Sequence, residues 1–138
     1  MEQLVREDQE QQLQTAHDKV KELTGEDMAL FRPPYGDYND DLIQLAEVKG
    51  YFSIRWDVDS KDWKDYGVDN IIDTIINHES LQNGSIILCH SGTRYTAQAL
   101  DGIISGLKDR GYEIVPVSEL IYREDYHMDV TGRQIKDK

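Results

Sequence analysis

Short apolar runs alternating with helix-length segments constrain this chain more than any other feature. Met28–Phe31, Tyr51–Val58, Ser85–Cys89 and Tyr112–Pro116 each read as a strand. Between them, three groups recur at helical spacing: Leu42, Leu45 and Ala46; then Ile71, Ile72, Ile75 and Ile76; then Leu100, Ile103, Ile104 and Leu107. Strands that alternate with helices through short turns predict an α/β fold with a parallel sheet. Ahead of the first strand, Leu13, Ala16, Val20 and Leu23 predict a helix within residues 1–24, stopped at Gly25. Gly102 and Gly106, one helical turn apart, predict that a neighbouring element approaches the last long helix closely.

The punctuation agrees with this outline. Arg32-Pro-Pro-Tyr-Gly36 admits neither helix nor central strand, so it predicts a rigid loop. Asn39 is placed to cap the next helix, with Asp40 and Asp41 at its positive end. A short helix is expected around Ser118–Tyr122, and the segment 123–138 reads as a polar, extended tail.

Size and charge narrow the function. At 138 residues the chain suits one compact domain. Its 15 Lys and Arg against 27 Asp and Glu give a net charge of −12, which repels nucleic-acid backbones and anionic membranes but not a neutral sugar. No apolar run approaches the ~20 residues of a membrane span, and the start MEQLVREDQE does not resemble a signal peptide. The lone Cys89 has no disulfide partner in the chain and is expected as a buried, inert thiol.

In parallel α/β folds, ligands bind where the loops leave the carboxyl ends of the strands. Three successive predicted strands lead there into Arg32, Asp62-Trp63 and His90. An arginine, a carboxylate, an indole and an imidazole on one rim make the inventory of a hydrolytic site. The carboxylate would orient the imidazole for proton donation, and the indole would supply an apolar wall. Each residue also has a plainer reading: Arg32 in a structural ion pair, Asp62 in a turn, Trp63 in the core. His17 reads as a solvated helix residue, His78 as a helix-end cation and His127 as part of the tail, none of them a metal ligand.

Phe31-Arg-Pro-Pro-Tyr-Gly36, Trp56-Asp-Val-Asp-Ser-Lys-Asp-Trp63 and Ile86-Ile-Leu-Cys-His90 stand in the order and spacing of the carbohydrate esterase family 4 polysaccharide deacetylases. The chain resembles the nodulation-factor and peptidoglycan type over nearly all of residues 10–122, through Tyr38-Asn39, Gly50-Tyr51 and Leu107–Tyr112. The resemblance implies a distorted (β/α) barrel and removal of acetyl groups from N-acetylglucosamine polymers with zinc or cobalt. It implies that Arg32 tethers the catalytic base, that the backbone N–H of Tyr35 helps hold the oxyanion, and that Asp62 tunes His90, the general acid. Trp63 and Leu88 match the apolar pocket around the acetyl methyl. The family's Thr-Phe-Asp-Asp-Gly motif, which supplies the base and one metal ligand, does not occur here. Nor does its His-x-x-x-His motif, which supplies the other two.

The expectation is therefore the carboxyl-terminal part of a deacetylase domain over residues 1–122, lacking the first strands of the family fold and the metal ligands. Exposed sheet edges would favour a homodimer. The parent protein is expected at the cell envelope or outside the cell, acting on peptidoglycan or a chitin-like polymer. The alternative is a carbohydrate-binding lobe without catalysis. A third possibility, an unrelated α/β domain, requires that Asp62 and His90 stay beyond hydrogen-bonding distance.

Overall fold

The structure is a computed structural model that describes residues 1–138. Its elements run α1 (Arg6–Thr24), β1 (Leu30–Phe31), α2 (Asp40–Val48), β2 (Phe52–Ser53) and β3 (Val58–Asp59), then α3 (Val68–Ile76), β4 (Ile87–Leu88), α4 (Thr96–Asp109), α5 (Val117–Leu120), β5 (Tyr126–Met128) and β6 (Gln134–Lys136). They divide into two compact units, residues 1–55 with 122–138, and residues 56–121.

In the first unit, β1 and β2 pair in parallel, Leu30 with Phe52 and Phe31 with Ser53. The connection between them holds α2, as a parallel crossover requires. Asn39 caps that helix as expected, its Oδ1 accepting from the Leu42 N–H at 2.9 Å. Leu42, Leu45 and Ala46 are fully buried and gather with Leu13, Phe31 and Tyr51 into one core. Helix α1 differs from expectation. Its buried positions are Gln9 and Leu13, whereas Ala16 and Leu23 are exposed. Gln9 is tolerated inside because its side-chain amide donates to the Met1 carbonyl at 3.1 Å.

His17 is also more engaged than a solvated residue. Its Nδ1 lies 2.7 Å from the Tyr51 hydroxyl and its Nε2 lies 3.3 Å from Asp27 Oδ1. The tail carries secondary structure of its own. Strands β5 and β6 form an antiparallel hairpin with His127 opposite Ile135. The Asp129 carboxylate organises the turn by accepting from the N–H groups of Thr131 and Arg133.

In the second unit, β3 and β4 pair in parallel, Val58 with Ile87 and Asp59 with Leu88, with α3 in the connection. The predicted run Tyr51–Val58 thus divides, its two ends belonging to different pairs. Asp57 fixes the entry to β4: its carboxylate accepts from the Ile86 N–H at 2.8 Å and the Ser85 hydroxyl at 2.9 Å. The stretch Tyr112–Pro116, expected as a strand, is irregular and leads into α5.

Helices α3 and α4 enclose the core of this unit, where Val58, Ile71, Ile75, Ala99, Ile103 and Leu107 are buried. Leu100, expected inward, is exposed, because the buried stripe of α4 runs through Ala99, Ile103 and Leu107. The two glycines let α3 come close, as their spacing predicts. Arg110 closes the end of α3, donating to the Ile76 carbonyl and, at 2.6 Å, to Asn77 Oδ1.

Candidate active site

The sequence between β3 and β4 builds a carboxylate–imidazole pair at the strand ends. β3 runs into Ser60, and the chain then turns through Lys61 and a short 3-10 turn, Asp62–Lys64, to Asp65. Lys61 (φ 51°) and Asp65 (φ 54°) both adopt left-handed backbone, which costs a side-chain-bearing residue about 1–2 kcal/mol. This tight bend turns Asp62 inward, where it is completely buried. β4 ends at Leu88, and two residues later His90 faces the same carboxylate.

Every contact of Asp62 favours its ionised form. Oδ1 lies 2.7 Å from His90 Nδ1, while Oδ2 accepts the His90 backbone N–H at 2.8 Å and the Thr96 hydroxyl at 2.8 Å. Burial by itself would raise the carboxyl's pKa. The hydrogen bonds, led by the His90 N–H and followed by Thr96, the imidazole and Ser60, outweigh it and hold the group below the ordinary 3.8. An ionised carboxylate only accepts, so Nδ1 carries a proton and Nε2 is the ring nitrogen left for chemistry. The imidazole is 42% exposed on its side chain, whereas Asp62 is sealed, so the pair is oriented from below and open above. This contact excludes the reading in which Asp62 and His90 never meet.

The other candidate residues are placed as follows. Leu88 is buried, and Trp63 is 58% exposed, so the indole is no core residue. The Lys64 ammonium stands 5.5 Å from the Trp63 ring centroid. Arg32 and Tyr35 belong to the first unit. Arg32 is exposed just beyond β1. Tyr35 holds φ 60° and is 94% exposed. Cys89 is exposed rather than buried. Desolvation, then the Asp62 and Asp59 charges, push its thiol pKa up against the bond from Ser60, so it stays protonated.

Sequence reasoning missed Thr96 and Ser60. No local signal marks Thr96, because its hydroxyl's target lies 34 positions away. No group of three or more His, Cys, Asp or Glu side chains stands together so as to hold a metal ion. The zinc or cobalt that the resemblance implies therefore finds no fitting ligand set among these residues.

Fold and site define a class: an α/β chain whose buried strand-end carboxylate holds a solvent-open histidine. Comparison with known proteins makes the class specific. The sequence profile described as Polysaccharide deacetylase matches residues 1–54. Peptidoglycan-N-acetylmuramic acid deacetylase PdaC of Bacillus subtilis is 38% identical over 109 residues, 79% of this chain and 22% of PdaC. Peptidoglycan-N-acetylglucosamine deacetylase of Bacillus cereus is 37% identical over 97 residues, 67% of this chain and 45% of that protein. Among solved structures, the CE4 family pseudoenzyme BA3943 of Bacillus anthracis superposes with a TM-score of 0.81 at 30% identity, covering 87% of this chain and 42% of that one. The chain belongs to the polysaccharide deacetylases of carbohydrate esterase family 4. It spans less than half the length of each of these relatives.

Proposed function

We propose that this chain carries the proton-donating part of a polysaccharide N-deacetylase site, acting on an N-acetylglucosamine-containing polymer such as peptidoglycan or a chitin-like chain. The observation that carries the reading is the 2.7 Å contact between His90 Nδ1 and the buried Asp62. In amide hydrolysis the leaving nitrogen must gain a proton as the C–N bond breaks. Protonated His90 supplies it from Nε2 and keeps its Nδ1–H on Asp62. Acetate and the free amine leave, and the imidazole is neutral until it takes up another proton.

The remaining roles follow the resemblance. By the resemblance, Arg32 would steady the base carboxylate and the Tyr35 N–H would donate to the oxyanion. Trp63 and Leu88 line the acetyl pocket. The base and the divalent metal would come from residues outside these 138, completing a (β/α) barrel at the cell envelope.

A second reading, a carbohydrate-binding lobe without catalysis, draws support from the missing ligand set and from the likeness to a pseudoenzyme. One experiment separates the two. The chain, complemented with a family segment that bears the Thr-Phe-Asp-Asp-Gly and His-x-x-x-His motifs, is incubated with N-acetylglucosamine oligomers, with zinc or cobalt and with a chelator, while acetate release and the Trp63 indole NMR signal are followed. Metal-dependent release that disappears in His90→Ala supports the deacetylase. Perturbation of the indole without release supports the binding lobe, and neither response overturns both.

A further inference from the structure

Thr96 is the first residue of α4, and the residue before it makes no side-chain cap. Threonine is a weak helix former, and at such a position its hydroxyl ordinarily serves its own helix. Here the hydroxyl instead donates across the unit to Asp62 Oδ2 at 2.8 Å.

Proton accounting fixes the direction of the whole chain of contacts. Thr96 has one hydroxyl proton, and the ionised carboxylate offers none, so that proton goes to Asp62. The hydroxyl of Thr93 touches that of Thr96 and must therefore be the donor in this second contact. The series runs from Thr93 to Thr96 to Asp62, where it meets the two donors of His90. The His90 backbone N–H and the Thr96 hydroxyl grip the same oxygen, Oδ2. The carboxylate plane is thereby held, and Oδ1 is kept for the imidazole.

We propose that Thr96 is a positioning residue for His90, acting through Asp62 to keep the imidazole proton on Nδ1 and the free nitrogen, Nε2, toward solvent. The importance of Nε2 for acetyl removal rests on the function proposed above. The positioning itself is a property of the resting protein and is measured without turnover.

The test is nitrogen-15 NMR of the ring nitrogens of His90 at a pH where the imidazole is neutral. In the unaltered chain, Nδ1 should give the protonated shift and Nε2 the unprotonated one. In Thr96→Val, which keeps shape and loses the hydroxyl, the two shifts should move toward each other, and the Asp62 carboxyl carbon should titrate at higher pH. Thr96→Ser should restore both signals. A role confined to helix packing would leave both unmoved in the folded Val variant, and that result overturns the proposal. Should Thr96→Val fail to fold, the unaltered chain decides. A slowly exchanging Thr96 hydroxyl proton with a cross-peak to the His90 amide supports the proposal, and a hydroxyl that exchanges too fast to be seen overturns it. Absence of deacetylation would refute the proposed function and leave these signals unchanged.

Discussion

Gly102 faces Ile72 so closely that a Cβ on the glycine would stand 2.5 Å from Ile72 Cδ1 and 3.3 Å from its Cγ1. One turn on, Gly106 repeats the arrangement against Ile76. The α3–α4 packing therefore depends on two missing methyl groups, and this has a measurable consequence.

Gly106→Ala gains helix propensity of about 1 kcal/mol but overpacks the contact, for which 1–3 kcal/mol is usual. Because the neighbour at Gly106 crowds through both Cδ1 and Cγ1, the clash should win, lowering stability by roughly 1 kcal/mol in urea unfolding. Ile76→Val removes the Cδ1 methyl that crowds most. In that background Gly106→Ala should become neutral or stabilising. Additive losses in the double variant would refute the close-contact account.

The same helix shows what a sequence can and cannot reveal. The spacing of the two glycines was legible because small residues one turn apart have few other uses on a long helix. Ile103 and Leu107 are buried as expected, but Leu100 is not, because Ala99 is a weak hydrophobic signal and Leu100 a strong one, while packing buries the former and exposes the latter. His90 could be read because a polar residue directly after Ile86–Cys89 has to face the rim. Asp62 came from the same strand-end logic. Thr96 was hidden because its partner is set by tertiary structure. The tail hairpin was missed because polar residues mask the alternation of β5 and β6, leaving only Asp129 and Gly132 as turn signals.

Asp62 makes stability depend on pH. Its folded pKa lies below the ordinary 3.8, so the unfolded chain takes up a proton more readily. The stabilisation is complete above the unfolded value and disappears as the pH falls through the lower folded one. Asp62→Asn removes the charge that the hydrogen bonds serve and should cost roughly 2 kcal/mol near neutrality. The loss should shrink below pH 4, where the unaltered protein also surrenders this contribution. Denaturant midpoints from pH 3 to 7 measure it. A loss independent of pH would show that the carboxylate is not ionised in the fold.

Tyr35 invites a counterintuitive test. An aromatic residue at φ 60° that is 94% exposed bears backbone strain with no burial in return. Tyr35→Gly removes about 1–2 kcal/mol of that strain and returns part of it through unfolded-chain entropy. The variant should be no less stable than the unaltered chain, by thermal unfolding, and more stable by up to about 1 kcal/mol. A clear loss would mean that the phenol ring supports the loop through contacts beyond its own backbone.

Tyr51 and His17 provide the last test, in the first unit. Burial, then the Asp18 charge, hold the Tyr51 hydroxyl pKa above its usual 10, so the phenol keeps its proton. The Asp27 carboxylate only accepts, so Nε2, 3.3 Å from it, carries the proton of the uncharged ring, and Nδ1, 2.7 Å from the phenol, accepts the Tyr51 hydroxyl proton. Tyr51→Phe retains the ring in the core and deletes only the donor, so the expected loss is about 1 kcal/mol. His17→Ala removes the acceptor from the other side. Because one hydrogen bond is shared, the double variant should lose less than the sum of the single losses, with a coupling near 1 kcal/mol in a double-mutant cycle at pH 8. Additivity would mean that the hydroxyl is equally well served by water.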